Sequence, residues 1–445
     1  MRKSLRPATI AAIVLLLFAA LAAAVVVAPP SAGGATKPPP VAGYPGVKNV
    51  ILIIGDGMGP QEVQLARSLN GGKLLLDAIP WAGVGTIDTT SLDGITDSAA
   101  AATALATGYE TSNGWLSMIP TPSGPVAVQT VLERAEAKGR ATGLISNTDI
   151  ASATPAAFGA HVTDRDLDEQ ITTQMAGQGT ESLFSGAWSY DALLRGLAGV
   201  TYINNLNDLQ PYLQGSVPWT PKMYGFFAGG MAYPLDREEE GVVGIQPTLG
   251  ELTASAIGVL KQDSDGFFLM VEQGTIDYGG HSRDPGWVGA DVNDLDRAVK
   301  VAYDWAKGRS DTLLVVTSDH ETGGLVLNSK TNYAAIKLQT ATTEWMWGLI
   351  AAGKMTIKQT LATYAGITNP TAAELALIAQ NKEMGISDVL AARDKVTWGW
   401  SGTDEGDHTA TPVAVRAWGP GAAAFKVTLK DNEYIGQQLL TAVSN

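Results

Sequence analysis

Short apolar runs recur along this chain, each closed by polar or turn residues, and they restrict the fold more than any other feature. Val47–Ile54 is the clearest, ending on Gly55-Asp56-Gly57; similar runs stand at Ala141–Ser146, Gly266–Val271, Thr312–Thr317 and Val413–Trp418. A run without polar alternation is expected of a strand buried on both faces. Helical stretches fall between them, at Thr130–Lys138, Thr248–Lys261 and Asp291–Lys307. Buried strands alternating with amphipathic helices predict an α/β fold: a large, mostly parallel central sheet with helices on both faces. In such sheets ligands bind beyond the carboxyl ends of the strands.

A chain of 445 residues, 45% hydrophobic and 17% charged, is ordered and large enough for one α/β domain with insertions. The domain is expected over residues 47–445, with insertions at about 166–247 and 325–395 forming a cap or crown. Inside the second, Thr371-Ala372-Ala373-Glu374 has the spacing of a capping box that opens a helix. Trp345, Trp347, Trp398 and Trp400 cluster around it and read as packing residues. The N-terminus begins with basic Met1-Arg2-Lys3-Ser4-Leu5-Arg6, and Ala8 to Ala28 follows without a charge. Residues 1–35 therefore read as an export signal, with an uncleaved membrane anchor as the alternative, and 36–46 as a flexible leader. An exported protein is expected, touching a membrane only if that segment is retained. With no cysteine, stability must come from the core and from bound ions. A net charge of −14 excludes ordinary nucleic-acid binding, which needs a basic face.

The residues suited to chemistry are few and grouped. Thr96-Asp97-Ser98 leads into an alanine-rich helix that Gly108 stops. A hydroxyl at a helix N-terminus meets unpaired N–H groups and the positive end of the helix dipole, which favour an alkoxide or a phosphate there; by itself, Ser98 is as well explained as a helix cap. There are only four histidines. His320 follows Asp319 after one apolar run, His281 lies one helical turn beyond Asp277 after another, and His408 sits in Glu405-Gly406-Asp407-His408-Thr409 ahead of a third. Asp56 follows a further run, and Glu272 ends the run that precedes Asp277. Imidazoles and carboxylates delivered to one sheet edge are the donor set of catalytic zinc. Other motifs fail: Gly55-Asp56-Gly57-Met58-Gly59 lacks dinucleotide-binding spacing, and Ser98 lies in no G-x-S-x-G elbow.

These segments, in this order, resemble the alkaline phosphatase family from Lys48 to the C-terminus. The likeness rests on Gly55–Gly59, Thr96–Ala100, Ala153–Ala157, His161–Arg165, Glu272–Asp277, His281, Thr317–Gly324 and Asp407-His408-Thr409. It implies hydrolysis of phosphate monoesters through a phosphoserine on Ser98, with two zinc ions and one magnesium as cofactors. Asp277, His281 and His408 would hold one zinc; Asp56, Asp319 and His320 would hold the second, which activates Ser98. Magnesium would share Asp56 and take Thr154 and Glu272. Arg165 would clamp two phosphate oxygens, whereas His161 matches a motif position that is not a ligand. Three dications and a guanidinium among these carboxylates leave the loaded site net positive, so an acidic protein attracts phosphate. A homodimer is a further possibility of the resemblance.

Two positions depart from the family pattern. Many members carry Asp or His at the position of Ser152, and Lys or His at that of Tyr278. Neither residue here supplies the corresponding charge, so a weaker third metal site and an altered phosphate affinity are expected. A superfamily phosphodiesterase and a non-catalytic metal-binding surface protein are the rival functions.

Overall fold

The computed structural model describes residues 44–186, 191–227, 230–399 and 408–444. The expected export segment and nearly all of its leader lie outside the described residues, as do Trp400, Glu405 and Asp407. Among the described residues no helix is long and apolar enough to cross a membrane.

The apolar runs become strands of one ten-stranded sheet. In chain order these are β1 (Asn49–Gly55), β2 (Gly83–Asp88), β3 (Ala141–Asp149), β4 (Ser182–Gly186), β5 (Thr201–Ile203), β6 (Met223–Phe227), β7 (Phe267–Gln273), β8 (Thr312–Ser318), β9 (Val413–Trp418) and β10 (Thr428–Asp431). Their spatial order is β10-β2-β9-β8-β1-β7-β3-β4-β6-β5. β1 lies at the centre, parallel to β7 and β8, with Ile54 opposite both Glu272 and Thr317. Only β9 runs against its neighbours, antiparallel to β8 and to β2.

Alternate residues of each strand feed two separate cores. Val50, Leu52 and Ile54 of β1 face one layer of helices, and Ile51 and Ile53 face the other. The first layer holds α2 (Ser98–Thr107), α3 (Val131–Glu136), α4 (Ala153–Gly159) and α9 (Glu433–Val443); the second holds α1 (Pro60–Leu69), α5 (Leu249–Leu260) and α7 (Pro285–Ala306). The short α6 (Thr275–His281) links β7 to α7. Full coverage of both faces explains why every residue of β1, β7 and β8 is buried.

The structure departs from the expected elements in two places. Residues 166–247, expected as an insertion, contribute β4, β5 and β6 to the central sheet itself. These strands are short, and their aromatics and glycines conceal the apolar pattern. The helix expected from Asp291 begins at Pro285, because Asp284 accepts a hydrogen bond from the Trp287 amide at 3.0 Å and Pro285 fits the first turn. The second expected insertion builds its own small core from residues such as Met346, Leu361, Ile378 and Ile386. Its Thr371–Glu374 capping box opens α8 (Ala372–Asp394), which is kinked at Lys382, where φ is 59°.

Two outcomes test this packing. A methyl group added at Gly436 would stand 2.2 Å from the Ala104 carbonyl oxygen, so α9 must separate from the helix that carries Ser98. Gly436→Ala is expected to cost about 1–3 kcal/mol and to lower Tm by a few degrees in a thermal melt. Burial, then the Asp284 charge, pushes the Asp394 carboxyl up to about 7. A carboxyl raised by folding contributes its full stability below its unfolded pKa and loses it as pH rises through about 7. Asp394→Asn should therefore leave stability unchanged at pH 4 and raise it by about 1–3 kcal/mol at pH 8, read by denaturant unfolding.

Candidate active site

The carboxyl ends of β1, β7 and β8 are adjacent, so residues at and just beyond these ends share one edge of the sheet. Asp56 directly follows β1, Glu272 lies near the end of β7, and Asp319-His320 directly follows β8. One turn of α6 carries Asp277 and His281 on the same face, with His281 Nε2 3.2 Å from Asp277 Oδ2. His408 reaches the edge because its short strand pairs with Glu321-Thr322, setting His408 opposite Thr322.

Donor atoms of Asp56, Asp319 and His320 all lie within 4.8 Å of one another, and so do those of Asp277, His320 and His408. His320 therefore belongs to both groups, and its ring stacks on His408 with centroids 3.6 Å apart. His281 stands at the rim instead: its ring is 5.2 Å from His408 and its side chain is 36% exposed.

Hydrogen bonds fix which ring nitrogen faces inward. His408 Nδ1 donates to the Thr96 carbonyl at 2.9 Å, and His320 Nδ1 lies 3.2 Å from the Thr322 hydroxyl, which itself donates to Asp277 Oδ1 at 2.5 Å. Both Nε2 lone pairs are thereby left for an ion, a common arrangement around protein metal sites. Asp319 Oδ1 accepts from the Gly57 and His320 amides at 3.1 and 2.8 Å. Gly57 is required there: its φ is +71°, and a side chain would meet the Asp277 Cα at 2.8 Å.

The electrostatics call for cations. Asp56 is pushed well above the carboxylate range by burial and then by Asp319, Asp277 and Glu272. Burial raises Glu272 to about 7, and burial with Asp277 raises Asp319 to about 6. Asp277 goes the other way: burial opposes its charge, but the imidazoles of His281 and His408 beside it outweigh that and hold it well below the usual range. Burial and the neighbouring His408 keep His320 neutral. Asp56 Oδ1, Asp319 Oδ2 and the Thr154 hydroxyl are buried without a hydrogen bond. Mutually repelling carboxylates with orphaned oxygens beside the neutral His320 imidazole fit metal ions.

Ser98 is the first residue of α2, but it does not cap it. Asp97 does, accepting from the Ala100 amide at 2.9 Å, so the Ser98 hydroxyl is released and points to His320 Nε2 at 3.2 Å. The other oxygen of Asp97 accepts from the Gly114 amide at 3.0 Å and from Arg165 at 3.1 Å. Arg165 is thus held beside the serine, on the wall of a cleft of about 600 Å³ that Ser152 and Tyr278 also line. His161 has both ring nitrogens engaged, by Glu133 at 2.9 Å and the Ser117 carbonyl at 3.0 Å.

The sequence motifs contained Asp97 and Thr322 without revealing their work, and Ser146, which donates to Glu272, gave no signal at all. The serine, imidazole and carboxylate residues expected from the sequence come together at this edge, with His281 outermost.

An α/β sheet whose carboxyl edge gathers a freed serine, a held guanidinium and two carboxylate–imidazole clusters is that of a metal-binding hydrolase. The alkaline phosphatase family profile matches residues 47–196 and 191–444. Alkaline phosphatase 4 of Bacillus subtilis (strain 168) is 34% identical over 418 residues, 87% of each chain. Among solved structures, the cold-active alkaline phosphatase from the psychrophile Shewanella sp. superposes with a TM-score of 0.78 at 27% identity, over 89% of this chain and 99% of that one. A histidine-to-aspartate variant of the TAB5 alkaline phosphatase, with magnesium bound in its M3 site, gives 0.64 at 26% identity, over 89% and 98% of the two chains. The chain belongs to the alkaline phosphatase family and is a phosphoric monoester hydrolase.

Because Asp97 both caps α2 and holds Arg165, Asp97→Ala should cost roughly 1 kcal/mol of stability. It should also raise KM for a phosphate monoester about tenfold, with a smaller fall in kcat. Steady-state kinetics alongside a thermal melt separates the two effects.

Proposed function

We propose that this phosphatase cleaves its monoester through a phosphoserine on Ser98, with two zinc ions and one magnesium bound at the sheet edge. The reading rests on one observation above the rest: Ser98 Oγ lies 3.2 Å from His320 Nε2, the donor common to both metal clusters. Asp277, His281 and His408 would hold one zinc, Asp56, Asp319 and His320 the other, and Asp56, Thr154 and Glu272 the magnesium. Bound there, the ions stabilise an ionised serine, lower the pKa of a water and neutralise phosphoryl oxygens.

The chain's own groups do the rest. The N-terminus of α2 presents its dipole to the Ser98 oxygen and favours the alkoxide. Arg165, oriented by Asp97, grips two phosphoryl oxygens with its planar fork. The serine oxygen forms the new bond to phosphorus while the bond to the alcohol oxygen breaks, and the alcohol departs into the cleft. Water then displaces Ser98 from phosphorus in a second in-line step, so configuration at phosphorus is retained overall. A diester's second alcohol would need room where Arg165 grips the monoester's extra oxygens, which favours monoesters. The basic N-terminus and its uncharged run support an exported enzyme.

Ser98→Ala is expected to abolish labelling of the protein by 32P-phosphate and to lower turnover on 4-nitrophenyl phosphate by about a thousandfold or more. Retention of more than a tenth of the activity would sink the phosphoserine mechanism. Chelation should remove activity, and zinc with magnesium should restore it, with metal analysis giving the stoichiometry. A faster rate on the methyl diester than on the monoester would instead favour a diesterase. Ser152→Asp adds a carboxylate beside Thr154 and should tighten magnesium binding about tenfold; unchanged affinity would detach Ser152 from that site.

A further inference from the structure

The first turn of α1 buries a carboxyl group that the phosphoryl chemistry does not use. Glu62 is fully buried on a helix whose other buried residues, Val63, Leu65 and Ala66, are apolar. Among the described residues no N–H or O–H group donates to either of its oxygens. Glu321, also buried, faces it. A methyl group placed on Gly59 would stand 2.2 Å from Glu321 Cγ and 2.6 Å from Glu62 Oε2, so the two side chains close over the same backbone atom. An apolar residue would fill this position at lower cost, because a buried carboxyl without a donor is destabilising. The packing of α1 therefore does not account for an acid here.

Glu321 is engaged on both oxygens. Oε1 accepts from the Gly324 and Leu325 amides at 2.8 and 3.2 Å, and Oε2 accepts from the Thr409 hydroxyl. Backbone pairing sets Glu321 opposite Thr409 and Thr322 opposite His408. One side chain thus joins the turn after His320 to the strand that carries His408. Two carboxyl groups in contact stay together only with a proton between them, and with both Glu321 oxygens accepting, Glu62 is the donor. Burial, then the Glu321 charge, pushes the Glu62 carboxyl well above the carboxylate range. Glu62 in turn belongs to the helix that follows Asp56-Gly57-Met58-Gly59, so the pair links all three segments that bring Asp56, His320 and His408 to the sheet edge.

We propose that Glu62 is a positioning residue for the metal centre: its carboxyl donates a hydrogen bond to Glu321, whose other bonds hold the His408 strand against the segment of Asp319 and His320. The inference rests on the two-zinc reading of the site, since the positioning is read through zinc.

The test follows zinc transfer at equilibrium from the loaded enzyme to a chromophoric chelator, alongside a thermal melt and kcat on 4-nitrophenyl phosphate. Glu62→Gln keeps an N–H donor and should hold zinc within about twofold of the intact enzyme, whereas Glu62→Leu should weaken the zinc of Asp277, His281 and His408 about tenfold. Thr409→Val cuts the link on the His408 side and leaves Glu62 in place; it should weaken the same zinc by about the same factor, and Thr409→Ser should restore it. Because both changes break one chain of contacts, Glu62→Leu/Thr409→Val should lose little more than either alone. Unchanged zinc affinity in Glu62→Leu overturns the proposal even if Tm falls, as does an equal loss in Glu62→Gln and Glu62→Leu. If Glu62→Leu does not fold, the Thr409 variants decide, and intact affinity in Thr409→Val overturns the proposal. Two zinc ions held equally by every variant leave the two-zinc reading standing and this inference refuted; an intact protein that takes up no zinc removes both.

Discussion

Asp56, Asp319 and Glu272 stand buried within reach of one another's fields, and the fold must hold them there against their repulsion. It does so with backbone. Each carboxylate is attached at or beside the end of a central strand whose register is locked on both sides, so none can move away without breaking the sheet. Amide donors from Gly57 and His320 and the Ser146 hydroxyl engage two of the three, while orphaned oxygens on Asp56 and Asp319 remain. The protein keeps a concentration of carboxylates in its interior whose repulsion bound metal ions or protons relieve, and the raised pKa values of Asp56, Glu272 and Asp319 follow from it.

The opposite side of the site is built from one carboxylate with two tasks. By capping α2, Asp97 frees the Ser98 hydroxyl from the role that a serine at a helix start would otherwise perform. Its second oxygen orients Arg165, so Ser98 and Arg165 are tied to the same residue. The apolar layer beneath gives that arrangement rigidity: α2 is buried along its whole length, and α9 packs so closely that Gly436 has no room for a methyl group. Precision at Ser98 thus derives in part from the close packing of alanine and glycine behind it.

Much of this was legible in the amino-acid order because its signals are local. Apolar runs closed by Gly-Asp or Ser-Asp identify central strands and put carboxylates at their ends, and the alanine run after Ser98 with Gly108 beyond it marks a helix. The spacing of Asp277 and His281 needed only one helical turn. Three features were not legible. β4, β5 and β6 are too short and too rich in aromatic and glycine residues to display a period. Thr322 becomes important only because the pairing of two short strands brings it between Asp277 and His320. Glu62 and Glu321 are far apart in the chain, and nothing in either neighbourhood announces that they meet over Gly59.

The sequence by itself determined the class of fold, the residues able to bind metal, and membership in a family, since each depends on residue type and short spacing. Only the tertiary structure decided how those residues are shared. It made His320 common to both clusters, set His281 at the rim, gave the helix cap to Asp97, and lined the cleft beside Arg165 with carboxylates. The physical reason is that each of these outcomes depends on distances between segments distant in the chain, which the packing of two helical layers onto one sheet establishes and no local propensity encodes.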